Sequence, residues 1–188
     1  MILMGTGLTA TSILTEKRIG DLERNQVVGV KISEIVAAYI VTESVLLNIT
    51  IITIMMTLFW LFGVTLKGSI GTVYCLFLNC GLCGMSYGIV IAAVCEKEFT
   101  ALFFCAGSLM PLVILSGIIW PLQGMHVVLQ WIAHIFPVYI ASEAFRNITQ
   151  KGWGWEKAGV YKGFLTMSIW TLTFLLISFI YIKFFRNR

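Results

Sequence analysis

The chain is built from long apolar blocks separated by short polar breaks. Ile35–Phe62 carries one charge, Glu43; Ile70–Val94 and Thr100–Pro121 carry none; Val160–Ile182 carries only Lys162, close to one end. A helix needs about 20 apolar residues to cross a bilayer, and each block reaches that length. The first block is rich in β-branched residues, yet it is far too long for a strand. In lipid a helix satisfies its own backbone groups, which overrides local propensity. The pattern predicts four complete spans, at 35–62, 70–94, 100–121 and 160–182, in an all-α membrane bundle. A fifth apolar stretch, Met1–Leu14, is too short to cross. It has neither a basic leading region nor a small-residue cleavage site, so it does not read as a signal peptide. It reads as the end of a span that starts upstream, within residues 1–15.

The polar breaks differ in character. Residues 16–33 form the most charged segment, with Glu16, Lys17, Arg18, Asp21, Glu23, Arg24 and Lys31. Ile19, Leu22 and Val27 give partial helical spacing, as in a short amphipathic helix. Val64–Ser69 and Cys95–Phe99 are short turns. Residues 122–159 are too long for a turn and too apolar for a solvated loop. MHVVLQWIAHIF is amphipathic, Pro137 breaks it, VYIASEAFRNIT continues, and Trp153 and Trp155 suit a headgroup region. A pair of short reentrant helices is the simplest account. The whole of 1–188 then reads as one transmembrane domain.

Composition agrees with this pattern. The chain is 59% apolar and 12% charged, with a mean hydropathy of +0.92, whereas a soluble domain is about a quarter charged. The net charge of +4 is read as orientation and implies no nucleic-acid partner. Lys17, Arg18, Arg24 and Lys31 precede the four spans, and Lys183, Arg186 and Arg188 follow them. Both clusters therefore share a side, and the positive-inside rule makes it the cytoplasm. Lys67, Arg146, Lys151 and Lys157 fall on the opposite side.

Candidate chemistry is sparse. Leu115-Ser116-Gly117 matches the first letters of the nucleotide-cassette signature LSGGQ, but no phosphate loop GxxxxGK[ST] accompanies it. Ser116, Gly117 and Pro121 read as residues that close a helix and bend the chain. Cys80 and Cys83 match CxxC inside an apolar helix, where small packing residues are the simpler reading. Gly84 and Gly88 have the small-xxx-small spacing that lets helices approach closely. His126 and His134 lack the further ligands a metal would need, and no metal is implied. Glu96 and Glu98 flank Lys97 in a tight turn. Glu43 lies roughly 13 Å along a helix from Glu34, at a depth where an ionisable group must be paired or hydrated. It should face the bundle interior, as a polar relay or as a structural hydrogen bond between helices, with Thr42, Asn48 and Thr50 for polar company. Asn147-Ile-Thr149 is a candidate glycosylation sequon. No catalytic residues emerge.

The order of several short motifs resembles the transmembrane domain of type-2 ABC exporters. These are Leu22-Glu23-Arg24 and Val28-Gly29-Val30, then Gly81-Leu82-Cys83-Gly84-Met85, then Leu115-Ser116-Gly117-Ile118-Ile119-Trp120-Pro121, then Trp131, Pro137 and Ser142-Glu143-Ala144-Phe145-Arg146. The eukaryotic G and H subfamilies are most similar, the arthropod H subfamily most of all. Ser44-Val45 after Glu43 departs from the Leu-Pro of G-subfamily members, as does the lack of cysteines in the outer loop. The resemblance implies a permease that exports lipids or other hydrophobic compounds. Its partners would be an ABC ATPase domain holding ATP and Mg, and a second permease half, in a homodimer or heterodimer. It implies coupling to the ATPase through Leu22, Glu23, Arg24 and Gly29, a substrate cavity wall at Ala106, Met110 and Val113, and an apolar valve at Ile118 and Ile119. The chain itself would be non-enzymatic and would bind no cofactor. It would be a multi-pass protein of the plasma membrane with its C-terminus cytoplasmic, and a C-terminal fragment that lacks the cassette and the first span. A stand-alone permease subunit that recruits a separate ATPase chain, or a channel-like or structural membrane protein without ATP, are the alternatives.

Overall fold

The computed structural model describes residues 1–20, 32–95, 97–117, Gly124 and 126–185. Their regular structure is helical: α1 (Ile2–Ile19), α2 (Ile32–Met56) continuing into a π-helical turn (Thr57–Leu61), α3 (Ile70–Val94), α4 (Glu98–Leu115), α5 (Val127–Ile135), α6 (Pro137–Lys151) and α7 (Ala158–Phe185). The protein is thus an all-α membrane protein, as the hydrophobic pattern predicts. Among the described residues three stretches are long and apolar enough to cross a bilayer, Val41–Leu61, Ile70–Val94 and Ala158–Tyr181, while α4, within the expected span 100–121, is a shorter apolar helix. Exposed Val41, Ile49, Ile52 and Met56 on α2, and Leu172, Leu176 and Phe179 on α7, present apolar surface that only lipid or another apolar partner can cover.

Helix α3 is the central post. Half of it is buried, against 11% of the α2 span and 17% of the α7 span, and α1, α2, α4, α6 and α7 all pack on it. Its glycines explain the closeness of the packing. A Cβ on Gly84 would collide with the Ile2 carbonyl, and one on Gly88 would lie 2.7 Å from the Thr6 carbonyl. On the facing helix, a Cβ on Gly5 would meet the Gly81 carbonyl at 2.9 Å. Backbone therefore rests on backbone along the α1–α3 seam, where dispersion rather than hydrophobic transfer holds membrane helices together. The short N-terminal stretch is accordingly an integral wall of the bundle, and α1 continues past the apolar block to Ile19.

Two apolar clusters fill the interior. One joins α3, α6 and α7 through Val73, Leu76, Ala144, Ile148 and Met167; the other joins α1, α3 and α4 through Leu14, Ile91, Ala101, Cys105 and Leu109. Helix α2 is attached more sparsely, by Leu47 seated on Gly81 and by a hydrogen bond from the Tyr74 hydroxyl to Asn48 Oδ1.

The bundle has two distinct ends. At one, Lys17 Nζ donates to the Ala92 carbonyl at 3.1 Å, and Arg18 pairs with Glu98 at 3.7 Å. At the other, the Lys67 amide donates to the Thr149 carbonyl at 3.0 Å, and Gly152 closes α6 in a left-handed conformation with φ 69°. Asn79 on α3 bonds Ser168 on α7 at 3.1 Å, and Tyr87 meets Phe174 with ring centroids 4.8 Å apart, so α7 runs parallel to α3. Lys183 therefore returns to the end that holds Lys17 and Arg18.

Helices α5 and α6 meet at 85° across Phe136. Pro137 opens α6 at a position where its missing N–H leaves nothing unpaired. This is the bent pair that the Pro137 break predicts. His126 accepts from the Val128 amide at the start of α5, and His134 Nδ1 lies 2.7 Å from the Gln130 carbonyl.

Candidate functional site

The site is assembled where α4 ends. Ser116 terminates the helix, with its hydroxyl donating to the Val113 carbonyl at 2.6 Å, and Gly117 follows with φ 71°. A positive φ of that size favours glycine, because a Cβ would crowd the backbone. A helix end leaves carbonyls without intrahelical partners. Here α6 supplies the donors. Ser142 Oγ donates to the Ser116 carbonyl at 3.1 Å, and Arg146 Nη2 donates to the Gly117 carbonyl at 2.8 Å. Ser142 and Arg146 are four apart on α6, so they share one face. The Arg146 cation also sits at the negative end of the α4 dipole, where positive charge is favoured. Ser116 is 1% exposed, so these carbonyls would be costly to leave bare.

Beside this junction lies a cavity of about 680 Å³, bounded by the start of α1, the α3 side chains Leu76 and Phe77, the α4 side chains Leu109 and Val113, and α6. Its walls are mainly apolar. Ser142, Arg146, Thr149 and Gln150, all on α6, give it one polar side. Such a space suits a molecule with an apolar body and a polar end.

The structure separates the cavity residues named from the sequence. Val113 lines this cavity; Ala106 and Met110, seven and three residues before it on the same side of α4, are exposed beyond the cavity's edge. They continue an outward apolar stripe with Phe99, Phe103 and Ile114. Leu109, which lies one turn before Val113 on the same face, is the wall residue that the sequence alone did not single out. The coupling residues Leu22, Glu23, Arg24 and Gly29 and the valve residues Ile118 and Ile119 lie outside the described residues.

Glu43 is 4% exposed and faces the bundle. Thr9 Oγ1 on α1 donates to Glu43 Oε2 at 3.3 Å. The polar company proposed from the sequence is otherwise engaged: Thr42 and Thr50 donate to carbonyls of their own helix, and Asn48 meets Tyr74. The gap beside Glu43 measures about 10 Å³, about the lower limit for one water molecule, and too small for a continuous aqueous path.

Two further candidates resolve into structure. Cys80 and Cys83 are buried in the α3 core. Cys95, at the end of α3, has its thiol pushed up by burial, which disfavours the reactive thiolate. Asn147 and Thr149 of the sequon are 3% and 2% exposed. The sequon thus lies within a packed helix, and a glycan cannot be placed on Asn147 in this fold, contrary to its candidacy as a surface site.

Comparison with known proteins places this bundle. The family model described as ABC-2 type transporter matches residues 1–149. ABC transporter G family member 20 of Dictyostelium discoideum is 32% identical over 171 residues, covering 91% of this chain and 23% of the relative. ABC transporter G family member 23 of the same organism is 25% identical over 154 residues, covering 82% of this chain and 22% of the relative. The chain belongs to the ABC-2 type transporter family and is a permease-type transmembrane domain of it. It spans less than a quarter of the length of these relatives. Both relatives carry the G-family name, which agrees with the G side of the resemblance; neither bears on the finer likeness to the H subfamily.

Proposed function

We propose that this chain is the permease part of an ATP-driven exporter that moves lipids or other hydrophobic compounds across a membrane. The observation that carries the reading is the geometry of α4 within an ABC-2 type bundle. One face of α4 packs on α1 through Ala101, Cys105 and Leu109; Val113 borders a cavity with one polar side; the adjoining face at Ala106 and Met110 is apolar and exposed among the described residues. A second permease half would cover that adjoining face, and an amphiphile would be taken up between apolar walls. ATP would be bound and hydrolysed by a nucleotide-binding domain, with Leu22, Glu23, Arg24 and Gly29 passing its motion to the spans and Ile118 and Ile119 closing the cavity on the far side.

The orientation follows from charge. The end carrying Lys17, Arg18 and Lys183 faces the cytoplasm, of the plasma membrane in this proposal. The basic residues at the other end do not oppose this strongly: Arg146 is engaged by Gly117, and Lys151 Nζ lies 4.5 Å from the Trp153 ring centroid.

Substitution at the cavity wall tests the assignment. In the complete transporter, Val113→Trp should lower ATP-driven lipid flux at least about tenfold by filling the cavity, while Ile169→Trp, on the exposed face of α7, should leave it unchanged. Equal flux in both variants, at equal amounts of folded protein, would remove Val113 from the substrate path.

A further inference from the structure

Helix α4 is weakened one turn before the end that α6 grips. Pro111 lies inside the helix. It has no N–H to offer the carbonyl of Gly107, so the ladder lacks one bond there. Gly107 adds backbone freedom at the same turn; nothing lies within 4 Å of where its Cβ would be. The packing around this part of α4 is also loose. The cavity of about 680 Å³ borders Leu109 and Val113, and a second cavity of about 340 Å³ borders Ser108, Pro111 and Leu112. Beyond this point the chain is held again, at 3.1 Å by Ser142 and at 2.8 Å by Arg146. A weak turn, room on both sides and a firm grip at the tip are the parts of a hinged segment.

We propose that residues 111–117 form such a segment, hinged at Pro111 and steered by α6 through Ser142 and Arg146, so that movement of the bent pair resets the cavity wall at Val113. Ser142 and Arg146 are then positioning residues for transport. They act on the wall through the end of α4, and they need not touch the transported molecule. The grip is charge-assisted at Arg146 and so is the stronger of the two bonds. Only the transport consequence rests on the exporter reading; the hinge and its grip rest on the geometry alone.

Amide hydrogen exchange of the complete transporter in lipid nanodiscs reads the grip without reference to transport. Arg146→Ala should speed exchange across 112–117 about tenfold, the scale of one lost charge-assisted hydrogen bond, and leave 101–109 unchanged. Ser142→Ala should act in the same direction and less strongly. Arg146→Lys, which keeps the charge and a donor, should fall between wild type and Arg146→Ala. Exchange that is unchanged in all three variants, or that rises evenly along the whole of α4, would overturn the proposal. In vesicles, Arg146→Ala should lower the maximal flux of a fluorescent phospholipid with the half-saturating concentration unmoved, and Arg146→Lys should restore much of it. Loosened exchange with unaltered maximal flux would overturn the steering role, as would a shift confined to the half-saturating concentration. Wild-type vesicles without flux would count against the exporter reading and not against the grip.

Discussion

Thr9 and Glu43 join two helices that share little else: the α1 hydroxyl donates to the α2 carboxylate at 3.3 Å, in a setting where Glu43 is 4% exposed. The pair supports the structural one of the two roles for Glu43. A relay needs a chain of partners or water, and the space beside Glu43 is about 10 Å³. A hydrogen bond that fixes α2 against α1 needs only what is there.

Thr9→Val should therefore loosen the bundle modestly, by about 0.5–1.5 kcal/mol, the range for hydrogen bonds between membrane helices. Glu43→Gln keeps an acceptor and should be better tolerated than Glu43→Leu. Unfolding in detergent, followed by helical circular dichroism, measures both. A relay role would instead appear as a loss of flux in Glu43→Gln with stability untouched.

The α1–α3 seam makes a sharper prediction. Gly84→Val and Gly88→Val insert side chains against the backbone of α1 and should each destabilise the bundle by about 1–3 kcal/mol or more, the cost of overpacking. Gly7→Ala, on the same α1 helix but with nothing within 4 Å of the new Cβ, should be neutral or stabilising by about 0.5–1 kcal/mol. Thermal unfolding of the three variants in one detergent gives the comparison.

Much of this fold is legible in the sequence because lipid simplifies the code. Long apolar runs with at most one charge predict the helices at 70–94 and 160–182, since no other structure satisfies the backbone there. Gly84 and Gly88 announce a close approach by their spacing, though not that Gly5 and Thr6 would be the other side of it. Pro137 marks the bend before α6. The end of α4 was less legible. Ser116 and Gly117 signal a stop inside an apolar run, but the donors that satisfy it, Ser142 and Arg146, stand some 26 and 29 positions away in sequence. Their four-residue spacing was the available clue, and it has meaning only once α6 is known to cross α4. Glu43 was placed inward correctly by its cost in lipid, yet its partner lies on another helix, and the nearby Thr42 and Thr50 turn to their own backbone instead. Ala106, Met110 and Val113 share one side of α4 by their spacing, but only Val113 borders the cavity; the other two are exposed beside it.

Asn147 should carry no glycan. Its side chain is packed beside Gly159, where an added Cβ would lie 2.8 Å from Asn147 Nδ2. Treatment with an N-glycosidase should leave the electrophoretic mobility of this segment unchanged. Asn147→Gln should destabilise the α6–α7 contact by about 1–3 kcal/mol, because a longer side chain must fit the same space.

The ion pair at the basic end should matter little. Arg18 and Glu98 are 3.7 Å apart, with side chains 80% and 31% exposed. Arg18→Ala should cost no more than about 1 kcal/mol, as exposed pairs do. Lys17→Ala removes the bond to the Ala92 carbonyl at 3.1 Å, which is partly buried, and should cost more. Parallel detergent melts of the two variants rank them.

The most direct test of the exporter account is the ATP dependence of lipid movement. The complete transporter is placed in sealed phospholipid vesicles with a fluorescent phospholipid in one leaflet, and transfer to the other leaflet is followed with and without ATP. The account predicts transfer that requires ATP and falls in Val113→Trp. Transfer at the same rate with and without ATP would contradict it, and would make the chain a passive path through the membrane.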